Sequence, residues 1–191
     1  MQAKPRVAIY GGSFNPPHVS HVLAVAYALS TAPIDQVLVV PCFLHPFAKE
    51  LASFEDRFAM CELAMAWMPH VSVSRVEAEL GGESRTLRTL EHLRAEHPEW
   101  EMRLLVGADI LVDAPKWHGF ARVKELAPLL VLGRAGVSRD DAPAPLLPEV
   151  SSTEVRALLG AGRLDEARSL VPRDVIDLVA RHGLYRPRSG G

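Results

Sequence analysis

Short runs of β-branched and aliphatic residues alternate with helical patterns along most of this chain, and that alternation restricts its fold more than any other feature. Arg6–Tyr10, Gln36–Cys42, Val71–Glu77, Arg103–Val106 and Leu129–Leu132 read as strands buried on both faces. Helical segments fall between most of them, at Pro17–Leu29, Ser53–Met68, Thr86–Glu96 and around Phe120–Leu126, with Ser53 and Asp56 spaced as a capping box. This order predicts an α/β fold, a doubly wound and mainly parallel sheet with right-handed crossovers. Beyond the fifth strand, Ala135–Pro148 is rich in Pro, Ala and Asp and reads as a loop. Short helices follow at Thr153–Leu159, Leu164–Leu170 and Asp174–Arg181, the last preceded by Pro172 and stopped by Gly183. The expectation is a core over residues 1–150 and a small C-terminal helical segment over 151–191, within one domain overall.

Composition excludes several function classes. A chain of 191 residues buries roughly 70% of its unfolded surface and needs no disulfide or metal staple. Hydrophobic residues at 48% and charged residues at 23% argue against disorder. With 21 Lys+Arg against 23 Asp+Glu, there is no basic excess to favour nucleic acid or a membrane surface as partner. The apolar stretch Val22–Ser30 is far short of the ~20 residues that span a bilayer, and the apolar run at the start is too short for a signal peptide. Cys42 and Cys61 form no CxxC pair and read as reduced, buried thiols of a cytoplasmic protein.

In an open parallel sheet, ligands bind beyond the carboxyl ends of the strands. Polar and glycine residues gather there on every strand: Gly11–His21 after the first, Pro41–Lys49 after the second, Gly81–Thr86 after the third, Gly107–Asp109 after the fourth and Arg134–Gly136 after the fifth. The first segment, GGSFNPPHVSH, is the most informative. Gly11 and Gly12 permit close backbone approach, and Pro16 and Pro17 lead into a helix whose N-terminal end carries His18 and His21 on one face. Exposed amides, a helix N-terminus and two imidazoles make an anion site. Two blander readings of His18 and His21 stand beside it, half of a zinc site or ordinary helix residues.

GGSFNPPHVSH resembles the HxGH signature of the nucleotidylyltransferase superfamily in the form found in bacterial nicotinate-nucleotide adenylyltransferases. Val150-Ser151-Ser152-Thr153-Glu154-Val155-Arg156 resembles that family's (I/V)SSTxxR motif. Weaker likenesses lie between and beyond: Glu55-Asp56-Arg57 with Met60, Ser84-Arg85-Thr86 with Thr89-Leu90, Gly107-Ala108-Asp109 with Trp117, Arg134-Ala135-Gly136, and a closing Leu184-Tyr185. The resemblance implies a Rossmann-like core and adenylyl transfer from ATP to nicotinate mononucleotide. The alternatives are the same chemistry on nicotinamide mononucleotide or another phosphorylated acceptor, and a nucleotide-binding protein without catalysis. It implies Mg²⁺ as cofactor, held mainly through ATP phosphates, with no metal-ligating side chains of its own.

By resemblance, His18, His21 and Arg156 carry the catalysis, and Gly11, Gly12, Ser13, Phe14, Gly107, Asp109, Ser152 and Thr153 complete the ATP site. Asn15, Lys49, Arg85, Thr86, Trp117 and Arg134 are assigned to the acceptor. Three places depart from the pattern. Ser20 stands where the motif has glycine, and would crowd the site or lend it a hydroxyl. Arg85 stands where tyrosine is usual, and reads either as partner of a nicotinate carboxylate or as a solvated arginine. The loop Phe43–Lys49 resembles the family's only loosely.

Overall fold

A computed structural model describes residues 4–45, 51–110, 117–133, 135 and 146–186. Five parallel strands form one sheet in the order β3-β2-β1-β4-β5: β1 (Arg6–Gly12), β2 (Gln36–Pro41), β3 (Val71–Val73), β4 (Glu101–Gly107) and β5 (Leu129–Leu132). β1 is central, pairing Val7 with Gln36 on one side and Met102 on the other. The chain winds outward from β1 to β3 and returns to β4 on the other side of β1. The topological switch point therefore lies between the carboxyl ends of β1 and β4, the crevice where such sheets bind ligands.

Side chains alternate along each strand between two apolar layers. Ala8, Val37, Val39, Leu105 and Leu132 face α1 (Val19–Thr31), α2 (Phe54–Met65) and the C-terminal helices. Val7, Ile9, Val40, Met102, Leu104 and Val106 face α3 (Val76–Leu80), α4 (Thr86–Glu96) and α5 (Phe120–Leu126). The C-terminal helices α6 (Ser152–Gly160), α7 (Leu164–Arg168) and α8 (Arg173–His182) contribute Val155, Leu159, Ala167, Val175, Ile176 and Val179 to the first layer, so they share its core. Gly183 ends α8 in the left-handed conformation (φ 63°). Among the described residues no helix is long and apolar enough to cross a membrane.

Several boundaries differ from expectation, two of them by three residues or more. The third strand stops at Val73 instead of Glu77: the Ser74 hydroxyl accepts the Val76 N–H (3.1 Å) and turns the chain into α3. That turn buries Glu77, whose carboxylate accepts the Thr89 hydroxyl across to α4. α2 ends at Met65, short of Met68; its start is as expected, with the Ser53 hydroxyl accepting the Asp56 N–H at 3.0 Å. Of the expected loop at Ala135–Pro148, residues 136–145 lie outside the described residues.

The C-terminal segment is tied to α1 by polar contacts as well as by the core. Val19 N–H donates to the Leu170 carbonyl (2.9 Å), and the Ser20 hydroxyl donates to the Pro148 carbonyl (2.9 Å). Ser20 is buried, 4% exposed. Its hydroxyl is thus turned toward the segment leading into α6 and is not lent to a ligand. Replacing Ser20 with alanine leaves the Pro148 carbonyl without this donor. Ser20→Ala is expected to lower unfolding free energy by about 0.5–1.5 kcal/mol, read as a lower urea midpoint with an unchanged slope.

Candidate active site

The loop after β1 is built so that its acceptors face inward. The Gly12 carbonyl accepts Cys42 N–H (2.9 Å), the Ser13 carbonyl accepts Arg57 Nη1 (3.0 Å), the Asn15 carbonyl accepts Arg156 Nη1 (2.8 Å) and the Pro16 carbonyl accepts the Ser152 hydroxyl (2.9 Å). Asn15 Oδ1 is also taken, by Ala52 N–H (3.0 Å) and the Tyr185 hydroxyl (2.8 Å). Among the described residues, no hydrogen bond is made by the N–H groups of Ser13, Phe14 and Asn15, and the buried Asn15 Nδ2 has no partner either. A loop whose oxygens are mostly bound and whose N–H groups remain is a site for an anion.

Phe14 holds this shape. Its φ of 45° lies in the left-handed region, which costs a non-glycine residue about 1–2 kcal/mol. Burial of its ring offsets that cost: Phe14 is 1% exposed and packs edge-on against Tyr10 (5.5 Å) and His21 (4.9 Å). A Cβ on Gly12 would lie 3.0 Å from the Phe14 ring, so that glycine makes room for the ring. Gly11 has nothing within 4 Å of the same point and leaves open space.

His18 and His21 come together as their spacing predicts, with ring centroids 3.8 Å apart. α1 begins at Val19 with His18 as its N-cap, so Pro17 precedes the helix instead of opening it. His21 Nδ1 accepts the His18 N–H at 3.1 Å, which leaves the proton of the neutral ring on Nε2. His21 is thereby fixed as an Nε2 donor at the N-terminus of α1, where no acidic residue occupies the first turn.

The second motif meets the first directly. Ser151 is the N-cap of α6, its hydroxyl accepting Glu154 N–H (3.1 Å). Ser152 donates to Pro16, while Arg156 divides its guanidinium between the Asn15 carbonyl and the Thr153 hydroxyl (3.2 Å). The remaining guanidinium donors are available to a second acceptor.

Across the switch point, Gly107 ends β4, and a Cβ there would collide with the Asp109 carboxylate. Thr86 opens α4 behind Arg85, whose side chain does not cap the helix. Arg85 is exposed and pairs with Glu83 at 2.9 Å. Ser84 joins this segment to the loop after β2 by accepting Phe43 N–H (2.7 Å). Trp117 is partly buried and packs edge-on against Phe120 (6.3 Å). Lys49 and Arg134 lie outside the described residues.

Two residues that sequence reasoning did not place in the site contribute to it. Arg57 is 1% exposed, and its position on the same helical face as Met60, Cys61 and Ala64 was the available signal. Tyr185 reaches Asn15 from the far end of the chain. Burial pushes its phenol well above the ordinary value, against the pull of Arg156 and Arg57, so it stays a proton donor. Burial likewise raises the thiols of Cys42 and Cys61 despite the nearby Arg57 guanidinium, and both are free cysteines. Cys61 is buried as expected; Cys42 is only partly so.

Known proteins are similar to this chain over most of its length. Residues 9–158 match the cytidylyltransferase-like family. A protein of Anaeromyxobacter dehalogenans named "probable nicotinate-nucleotide adenylyltransferase" is 48% identical over 97% of this chain and 100% of its own length. A Thermus thermophilus protein of the same name is 37% identical over 95% of this chain and 100% of its own length. The Plasmodium falciparum nicotinic acid mononucleotide adenylyltransferase, solved in complex with NaAD, superposes with a TM-score of 0.83 at 19% identity, covering 95% of this chain and 97% of that one. The fold, the paired motifs and these full-length relatives together show that the chain belongs to the nicotinate-nucleotide adenylyltransferase family, within the cytidylyltransferase-like proteins.

Proposed function

We propose that this protein transfers the adenylyl group of ATP to nicotinate mononucleotide, forming nicotinate adenine dinucleotide and pyrophosphate as a step of NAD biosynthesis. The observation that carries the reading is the donor-lined loop Ser13–Asn15 beside His21 and Arg156 at the switch point of the sheet. The acceptor's identity rests on the names of the full-length relatives.

The chemistry asks for positioning more than for proton transfer. The acceptor's phosphate monoester, with a second pKa of about 6, is largely dianionic at neutral pH and is already a nucleophile. One of its oxygens bonds to the α-phosphorus of ATP as the bond from that phosphorus to the bridging oxygen breaks, and the electron pair departs with pyrophosphate. In this reading the Ser13–Asn15 amides and His21 Nε2 bind the triphosphate, and Arg156 meets the charge that builds on the leaving group. Asp109 accepts from a ribose hydroxyl. Asn15, Arg85, Thr86 and Trp117, together with Lys49 and Arg134, are assigned to the acceptor.

Magnesium enters with the triphosphate. The donors around the loop are N–H groups, imidazole and guanidinium, which suit phosphate oxygens and repel an isolated cation. A magnesium ion would therefore be held through ATP phosphates and water, and would supply charge withdrawal from the transferring group. The reading places the reaction in the cytoplasm, where ATP is abundant and Cys42 and Cys61 remain thiols.

Pyrophosphate release from MgATP is expected with nicotinate mononucleotide at a higher kcat/KM than with nicotinamide mononucleotide or phosphopantetheine, and to stop when the metal is chelated. A preference for either of the other acceptors would redirect the assignment, and ATP binding without release with any acceptor would contradict it. His21 gives a finer test. Asparagine at position 21 places an amide acceptor near Nδ1 and keeps the bond to His18, but has nothing at Nε2. His21→Asn should fold with near wild-type stability and lose about 10²–10³ in kcat, whereas His21→Gln, with an amide nitrogen near Nε2, should retain more activity.

A further inference from the structure

Arg57 heads the fully buried side chains by volume, and among the described residues it makes no ion pair. Buried charges are ordinarily paired, because leaving the charge without a counter-ion costs several kcal/mol. Here the guanidinium bonds instead to three backbone carbonyls from two loops. Nε donates to the Ala52 carbonyl (3.0 Å), Nη1 to the Ser13 carbonyl (3.0 Å) with Cys42 Sγ at 3.8 Å, and Nη2 to the Phe43 carbonyl (3.2 Å). Ser13 belongs to the loop after β1, and Cys42, Phe43 and Ala52 to the connection from β2 to α2, near its two ends.

A trans peptide holds its C=O and N–H on opposite edges. With the Ser13 carbonyl drawn to Arg57, the N–H of Phe14 faces the other way, on the side where no described residue accepts it. The charge of Arg57 also reaches Tyr185, as does that of Arg156, so two guanidiniums flank the Asn15 loop. Arg156 stands at the Asn15 carbonyl and Arg57 at the Ser13 carbonyl, and neither charge is matched by a carboxylate in contact with it among the described residues.

We infer that Arg57 is a positioning residue for the phosphate loop: it holds the Ser13 carbonyl inside so that the Phe14 N–H faces the anion, and its unpaired charge strengthens the binding of phosphates there. The inference rests on the adenylyl-transfer reading for the identity of the anion, and extends it to a residue that touches neither reactant. Lysine at position 57 keeps the charge but lacks the planar fork that spans the three carbonyls. Methionine keeps much of the volume and loses both.

The test is titration calorimetry of wild type, Arg57→Lys and Arg57→Met with inorganic pyrophosphate, ATP and adenosine, with KM and kcat measured alongside. Loss of a charge-assisted hydrogen bond predicts that Arg57→Met raises the Kd for pyrophosphate and ATP at least about tenfold, with Arg57→Lys between. Adenosine affinity should change little, because it carries no phosphate; a merely structural lesion would weaken all three ligands alike. Folded variants with wild-type pyrophosphate affinity, or an equal loss for adenosine, overturn the inference about Arg57 alone. A wild-type protein that binds neither ATP nor pyrophosphate overturns the reading of the site as well. Where Arg57→Met does not fold, the wild-type protein still decides: its Phe14 amide resonance should move downfield as pyrophosphate is added. A Phe14 amide that stays fixed while pyrophosphate binds contradicts the inference.

Discussion

The site depends on one constraint, the removal of carbonyl oxygens from the face of a short loop. Between Gly12 and Pro16 the chain turns a corner at the end of its central strand, and such a turn exposes oxygens as readily as N–H groups. Here Cys42 N–H, Arg57, Arg156 and Ser152 bind the oxygens of Gly12, Ser13, Asn15 and Pro16. A phosphate brought to this loop meets N–H groups with those four oxygens already engaged. Because each protein–protein bond replaces a carbonyl–water bond, the net gain per bond is modest, about 1 kcal/mol. The larger effect is on orientation, since the donors need no rearrangement when a charged ligand arrives.

The C-terminal helices supply much of that constraint. Arg156, Ser152 and Tyr185 all act on Asn15 or Pro16, although they lie more than a hundred residues along the chain. Val155, Leu159, Ile176 and Val179 anchor their helices in the layer that also buries Ala24 and Ala28 of α1. Ser20 adds a polar tie at Pro148, just before the second motif. The sheet order then places this double-stitched loop beside Gly107 and Asp109, at the switch point of the sheet.

Much of this was legible in the sequence where the signal was local. Parallel strands announce themselves as continuous aliphatic runs, and Leu129–Leu132 falls where its pattern says, although at the sheet edge only Leu132 is buried. The HxxH spacing brings the rings of His18 and His21 together because an N-cap residue and the third residue of its helix are neighbours. What could not be read were destinations set by tertiary contacts. The strand expected through Glu77 ends at Val73, because Ser74 caps a turn and Thr89 offers Glu77 a buried partner. Ser20, expected to crowd the site or lend it a hydroxyl, gives that hydroxyl to the Pro148 carbonyl as a tie between segments. Arg57 was visible as a cation on an apolar helical face, but its acceptors come from loops the periodicity does not locate. Arg85, which reads either as partner of a nicotinate carboxylate or as a solvated arginine, is exposed and pairs with Glu83.

The most direct test of this account is a crystal structure with a non-hydrolysable ATP analogue. The account predicts phosphate oxygens within hydrogen-bond distance of the Ser13 and Phe14 amides and of His21 Nε2, with the Ser13 carbonyl still on Arg57 and the Pro16 carbonyl still on Ser152. A triphosphate bound elsewhere, or a loop whose peptides flip to turn those carbonyls toward the ligand, would contradict it.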